Sequence, residues 1–148
     1  MKLLILGLTL LIACGTISLA PTEMRKKEFT IENKNSKDEN FNKLQLWASK
    51  GGQVRLNDRQ SGNIVLKANI PCDAVPMGNG YAHDGRVWFL LELKAGNKQV
   101  KANFSDIQLT TIQGWDSNLR PSSKAEADKV ISECINPIKE TILLSLEN

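Results

Sequence analysis

The spacing of hydrophobic residues along this chain changes between a period of two and a period near 3.6, which predicts strands and helices in a definite order. Residues 27–32 alternate between polar and apolar like a half-buried strand. A helix is expected next, because Ser36 and Glu39 have the spacing of a capping box and apolar residues recur at helical steps over residues 41–48. Trp47 lies on the apolar side of this helix and is interpreted as a core anchor.

A β-hairpin is predicted after the helix, with strands over residues 53–58 and 63–70 and a polar turn between them. Pro71 is expected to end the second strand, because proline has no N–H to donate to a neighbouring strand. One face of the hairpin is expected to carry all of its buried apolar residues, namely Val54, Leu56, Ile64, Leu66 and Ala68.

The strongest strand pattern covers residues 86–94, where Trp88 and Leu90 make the second face apolar as well. Such a strand is expected at the centre of a sheet, partly covered on both sides. A turn at residues 95–97 leads to a returning strand over residues 98–106. The apolar phase then slips by one residue, which predicts a β-bulge.

The last predicted element is a long amphipathic helix that begins after Ser123 and runs to about Leu146. Pro137 is expected to kink it. Because the helix is apolar on one side only, it is expected to lie across the sheet. Its stripe of apolar residues consists of Ala127, Val130, Ile131, Cys134, Ile135, Ile138, Ile142 and Leu146.

The N-terminus has the layout of an exported bacterial lipoprotein precursor. A basic start, an apolar run and a small residue precede Cys14, whose thiol would carry diacylglycerol. An ordinary signal peptide cut after Ala20 is the alternative, and Pro21 argues against it. The apolar run is shorter than the roughly 20 residues that cross a bilayer. We therefore expect a signal peptide over residues 1–13 and a lipidated tether over residues 14–26.

Gly15 after the lipidated cysteine favours the outer membrane, with the periplasmic face preferred over the cell surface. The remaining residues, 27–148, are enough for one α+β domain. Its sheet is expected to be antiparallel, with about five strands, and the short helix and the long C-terminal helix are expected to pack on one face.

This order of elements resembles a family of uncharacterised bacterial envelope proteins with a TATA-binding-protein-like fold. The resemblance covers roughly residues 28–115 and implies a curved sheet with a concave face. It implies no activity, and no catalytic residue can be transferred from it. The matching positions are Asp38, Trp47, Asp58, Gly62, Asp106 and Ile107.

Composition and cysteine content limit the possible partners of the protein and the state of its cysteines. The formal net charge of +3 provides no strong field for nucleic acid, and export makes nucleic acid a poor partner. With Cys14 lipidated, Cys72 and Cys134 remain as a pair in an oxidising compartment. They form either a disulfide or two separate buried thiols.

The glycine-rich stretch over residues 71–85 is the candidate ligand loop and is expected to be mobile. Tyr81, His83 and Arg86 could line a site there, with Asp84 beside the histidine. The sequence has a single histidine and no metal-binding or phosphate-binding motif, so neither a metal nor a cofactor is expected.

The sequence favours a membrane-tethered binding module over an enzyme. Its partner would be an envelope protein, a peptide or a glycan, contacted through the sheet face or the candidate ligand loop. Two alternatives remain open: a carrier of a small apolar ligand beside Pro137, and a small hydrolase that uses loop carboxylates. The carboxylates near predicted turns, which turn chemistry also explains, are Asp58, Asp73, Asp84, Asp106 and Asp116.

Overall fold

The computed structural model describes residues 26–77, 80–111 and 123–147. The predicted signal peptide, nearly all of the tether including Cys14, and the polar loop around Trp115 lie outside these ranges. The strands are β1 Lys26–Glu32, β2 Gln53–Asp58, β3 Asn63–Pro71, β4 Pro76–Met77, β5 Gly80–Tyr81, β6 Gly85–Gly96 and β7 Gln99–Thr111. The helical elements are α1 Lys37–Gly51, α2 Lys124–Val130, a π-helical turn Ile131–Ile135 and α3 Asn136–Glu147.

Five strands form one antiparallel sheet in the order β1-β7-β6-β3-β2, and β4 pairs with β5 in a separate small hairpin. The central position of β6 is as predicted, but among the described residues no element packs on its second face, which was expected to be partly covered. One face of the sheet packs against the helices, and the alternation along β6 places Val87, Phe89, Leu91 and Leu93 in this core. The α+β class and the five-stranded antiparallel sheet are therefore as predicted.

Helix α1 begins at the predicted capping box. The Ser36 hydroxyl accepts a hydrogen bond from the Glu39 backbone N–H, while the Glu39 carboxylate accepts one from the Ser36 N–H at 2.7 Å. Phe41, Leu44 and Ala48 are buried, as the helical spacing requires. The chain therefore enters α1 in one orientation and presents its apolar side to the sheet.

The interior of the structure contains one strongly buried polar side chain among the described residues, that of Asn40, with 0% exposure. Its Nδ2 donates to the Gly96 carbonyl at 2.8 Å and to the Gln99 carbonyl at 3.4 Å. Its Oδ1 accepts from Asn35 Nδ2 at 3.2 Å. Asn40 thus fixes the start of α1 against the turn between β6 and β7.

The predicted side assignment within β2 was wrong. The pairing shifts between Val54 and Leu56, so Val54 lies opposite the buried Leu66 whereas Leu56 lies opposite Val65 on the other face. Val54 and Leu56 are 39% and 46% exposed. A β-bulge at Arg55 reverses the alternation, and an edge strand without a partner on its outer side leaves both residues open to solvent.

The β6–β7 hairpin turns slightly later than predicted, since β6 continues to Gly96 and Lys98 adopts the left-handed conformation with φ of 58°. The predicted bulge is confirmed. The pairing of β6 with β7 shifts opposite Phe89, and Asp106 at the shift has φ of 50°. The extra residue returns Ile107 to the buried face.

All eight residues of the predicted C-terminal stripe are buried. The helix is interrupted by a π-helical turn, Ile131–Ile135, which ends just before Pro137, and the kink expected at that proline stays a prediction. The Asn136 N–H donates to the carbonyl of Ile131, five residues earlier, instead of the usual four. The helix therefore widens where Cys134 meets the sheet.

The described parts of the glycine-rich stretch, residues 71–77 and 80–85, contain secondary structure of their own, and the mobility expected of the loop stays a prediction. The stretch contains the β4–β5 hairpin, and Ala74, Val75 and Ala82 are buried. Cys72 forms a disulfide with Cys134, with Cα atoms 5.7 Å apart. The pairing that the sequence left open thus joins the end of β3 to the π-helical turn.

The carboxylates of Glu39, in the first turn of α1, and of Asp58, at the β2–β3 turn, allow a prediction of how stability depends on pH. Hydrogen bonds from the Ser36 N–H and hydroxyl lower the pKa of Glu39, and hydrogen bonds from the Ser61 hydroxyl and N–H lower the pKa of Asp58. A carboxyl with a lowered folded-state pKa stabilises the protein at neutral pH, and this contribution is lost as pH falls through that pKa.

We expect the guanidinium midpoint of unfolding to fall between about pH 6 and about pH 3. In the double variant Glu39→Gln, Asp58→Asn the midpoint should fall less over this pH range, because the two carboxyl groups with lowered pKa values are no longer present to be protonated. Glu140→Gln removes an exposed carboxylate of α3 and serves as the control. An unchanged pH dependence in the double variant would show that these hydrogen bonds do not stabilise the fold.

Candidate functional site

The face of the sheet turned away from the helices has no packing partner among the described residues; we call it the open face. Strand alternation assigns to it Arg86, Trp88, Leu90, Glu92 and Lys94 of β6, because the intervening residues of this strand are buried in the core. The register then adds Asn69 and Lys67 of β3 and Gln108 and Thr110 of β7.

Trp88 is the centre of the open face and is held in one orientation by its neighbours. Its indole Nε1 donates a hydrogen bond to the Thr110 hydroxyl at 3.2 Å. The ammonium group of Lys67 lies 5.6 Å from the ring centroid, within the range of a cation–π contact. Beside it, Arg86 Nε donates to Asn69 Oδ1 at 2.6 Å. The cluster is therefore ordered before any partner arrives.

An apolar row extends from Trp88 across the sheet. Leu90 and Val65 are half-buried on the same face, and Leu56 at the edge is exposed. Charged residues of both signs surround this row, and no ion pair links them in the described ranges. They are Lys26, Glu28, Glu32, Lys67, Arg86, Glu92, Lys94 and Lys101.

The structure does not bring the predicted loop residues together. Tyr81 is 42% exposed, and the ammonium of Lys129 from α2 lies 3.7 Å from its ring centroid, on the helix side of the sheet. His83 is exposed, and within the described residues no hydrogen bond joins it to Asp84. Arg86 belongs to the open face. These residues therefore do not converge on one site.

Two of the candidate aspartates have structural partners. Asp58 accepts hydrogen bonds from the Gln60 N–H and the Ser61 hydroxyl in the β2–β3 turn. Asp106 accepts one from Gln108 Nε2 at the bulge. Asp116 lies outside the described residues. Turn and bulge geometry therefore explains both Asp58 and Asp106.

In the described ranges, no group of three or more histidine, cysteine or acidic side chains is arranged to hold a metal ion. No helix in the same ranges is long and apolar enough to cross a bilayer.

Comparison with known proteins supports the fold. A TATA-binding-protein-like protein from Parabacteroides distasonis aligns with a TM-score of 0.60 and 13% sequence identity, over 89% of this chain and 98% of the other. A DUF4468 family protein from Bacteroides ovatus aligns with a TM-score of 0.64 and 8% identity, over 90% of this chain and 92% of the other. No family model and no curated protein matches the sequence.

These similarities define the class of the protein as an α+β, TATA-binding-protein-like fold. The resemblance inferred from the sequence is thus confirmed at the level of fold. At such low identity the shared fold does not transfer an activity.

Proposed function

We propose that this protein is a membrane-tethered binding module of the bacterial envelope, and that it binds a protein partner through the open face centred on Trp88. The ordered cluster of Trp88, Lys67, Arg86 and Asn69 carries this proposal. Tryptophan and arginine are enriched among the residues that dominate the binding energy of protein interfaces.

Because the side chains of this cluster are already held in place, association requires less conformational free energy. Binding usually requires immobilising side chains at about 0.5–1.5 kcal/mol each, and here hydrogen bonds already hold the Trp88 indole and the Arg86 guanidinium. The apolar row offers the desolvated centre of an interface, while the mixed charges around it form a polar rim. A protein surface of complementary charge fits this arrangement.

The tether is proposed from the sequence alone, in which the expected lipidated segment over residues 14–26 leads into the edge strand β1. Acylation at Cys14 would hold the domain at the outer membrane, with the open face free to meet envelope partners. A single lipid-anchored domain of this kind functions as a receptor or adaptor and requires no catalytic group.

The proposal predicts capture of an envelope protein that depends on Trp88. The lipidated full chain is used as bait for envelope extract, and recovered proteins are identified by mass spectrometry. Trp88→Ala should reduce recovery of the partner at least about tenfold, since loss of such an anchor typically weakens binding by 2 kcal/mol or more. Arg86→Ala should weaken it in the same direction.

Leu46→Ala is the matched control, because Leu46 is an exposed apolar residue of α1, 61% exposed, away from the open face. Its recovery should equal that of the wild type, and the unfolding midpoints of all variants show that they are folded. A Cys14→Ala bait carries no lipid, so it should partition into the aqueous phase instead of the detergent phase. It should still capture the same partner. Equal recovery with folded Trp88→Ala and Arg86→Ala would contradict the proposal.

A further inference from the structure

A second feature, on the helix side of the sheet, is independent of the open face. Helices α1 and α3 meet near Leu146, whose carbonyl accepts hydrogen bonds from Asn35 Nδ2 and Lys43 Nζ, both at 2.8 Å. Toward the end of α1 and the start of α3 they leave a cavity of about 320 Å³ between themselves and the sheet. We call it the wedge cavity.

The walls of the wedge cavity are almost entirely apolar. The apolar residues that line it include Trp47, Leu66, Ile70, Phe89, Pro137 and Ile138. The Thr141 hydroxyl at the wall already donates to the Ile138 carbonyl at 2.9 Å. Bound water would therefore find few partners inside, whereas an apolar group would gain contacts on several sides.

The cavity is large enough for a ligand. Its volume lies at the lower end of the range for small-molecule sites. An apolar cavity of about 150 Å³ accommodates benzene, so this one would hold roughly a dozen carbon atoms. Protein interiors normally close such spaces. Gly51 lines the cavity, and a Cβ there would meet no atom within 4 Å, so a larger residue can be introduced at this position.

The charge at the opening of the wedge cavity indicates which polar group a bound ligand would carry. Glu133 lines the cavity, its side chain is 51% exposed, and its carboxylate is paired only loosely with Lys129, at 4.0 Å. A carboxylate there repels an anionic head and attracts a cationic one. We propose that the wedge cavity binds a small amphiphile with an apolar body of about a dozen carbons and a cationic head at Glu133.

The test is calorimetric titration of the full chain with decylamine and with decanoate, which share a tail and differ in charge. Decylamine should bind more tightly, and it should shift the indole N–H signal of Trp47 in nuclear magnetic resonance. Glu133→Gln should weaken decylamine binding by up to about fivefold, as expected for an exposed ion pair, without weakening decanoate.

Gly51→Phe should weaken decylamine binding about tenfold or more. If the phenyl ring occupies part of the cavity, about 60 Å² of the apolar surface of the ligand stays in water, and this loss of burial corresponds to a change in affinity of about that size. Gly80→Phe is the matched control, since a Cβ there also meets nothing within 4 Å and Gly80 does not line the cavity. Equal binding of decylamine by the Gly51→Phe variant, or equal affinity for the two ligands, would overturn the inference. The open face lies on the other side of the sheet, so either proposal can fail alone.

Discussion

Replacement of Cys72 and Cys134 by alanine is expected to lower the free energy of unfolding by about 4 kcal/mol. The bond closes a loop with a sequence separation of 62 residues, and the chain-entropy model assigns a stabilisation of this size to such a loop. Both cysteines are almost fully buried, so the loss of packing acts in the same direction. Guanidinium unfolding of the oxidised wild type and the double variant measures the difference.

Reduction provides the control for the alanine effect. Protein that retains Cys72 and Cys134 should lose most of the same stability in a strong reductant, whereas the midpoint of the double variant should not respond to reductant. Both samples carry Cys14→Ala, so that the thiols counted after unfolding come from this pair alone. Two free thiols in the oxidised protein would contradict the presence of the disulfide. An unfolding midpoint of the protein with both cysteines that does not change with reductant would contradict its contribution to stability.

The second large effect is expected at Asn40. Asn40→Leu should cost about 3 kcal/mol, because the Gly96 carbonyl and the Asn35 amide lose their buried partner while a side chain of similar size fills the space. Gln99 is the first residue of β7, next to the turn that Asn40 fixes, and the hydrogen exchange of its N–H should become faster. Equilibrium unfolding and native-state exchange together distinguish a loosened turn from a global loss.

Gln45→Ala on the same helix is the control for removing an amide. Gln45 is exposed, so its replacement should change stability by less than about 0.5 kcal/mol. If Asn40→Leu proved as harmless as Gln45→Ala, the buried amide would contribute nothing to the docking of α1.

Local sequence patterns were sufficient for most of the fold. The capping box before α1, the two apolar faces of β6 and the eight-residue stripe of the last helix each depend on interactions within one element or on simple burial. The error in β2 has a different origin. A bulge at Arg55 depends on the partner strand and reverses the alternation, which no count along a single strand can reveal.

The candidate site was harder to predict. Trp88 was noted as an apolar residue on the second face of β6, yet its contacts with Lys67 and Thr110 come from two other strands. The sequence drew attention to Tyr81 and His83 because they are the single tyrosine and histidine of the chain. Rarity along a sequence carries no information about which side of a sheet a residue occupies.

The π-helical turn has a consequence for the phase of the last helix. Val130, Cys134, Ile138, Ile142 and Leu146 follow one another at intervals of four residues, and each interval in a regular α-helix overshoots a full turn by about 40°. Over the whole series the stripe would rotate well off the sheet. Five residues of wider winding at Ile131–Ile135 subtract from that rotation. A single turn with about one additional residue thus corrects the rotation of the apolar stripe, so that both halves of the helix face the same surface of the sheet.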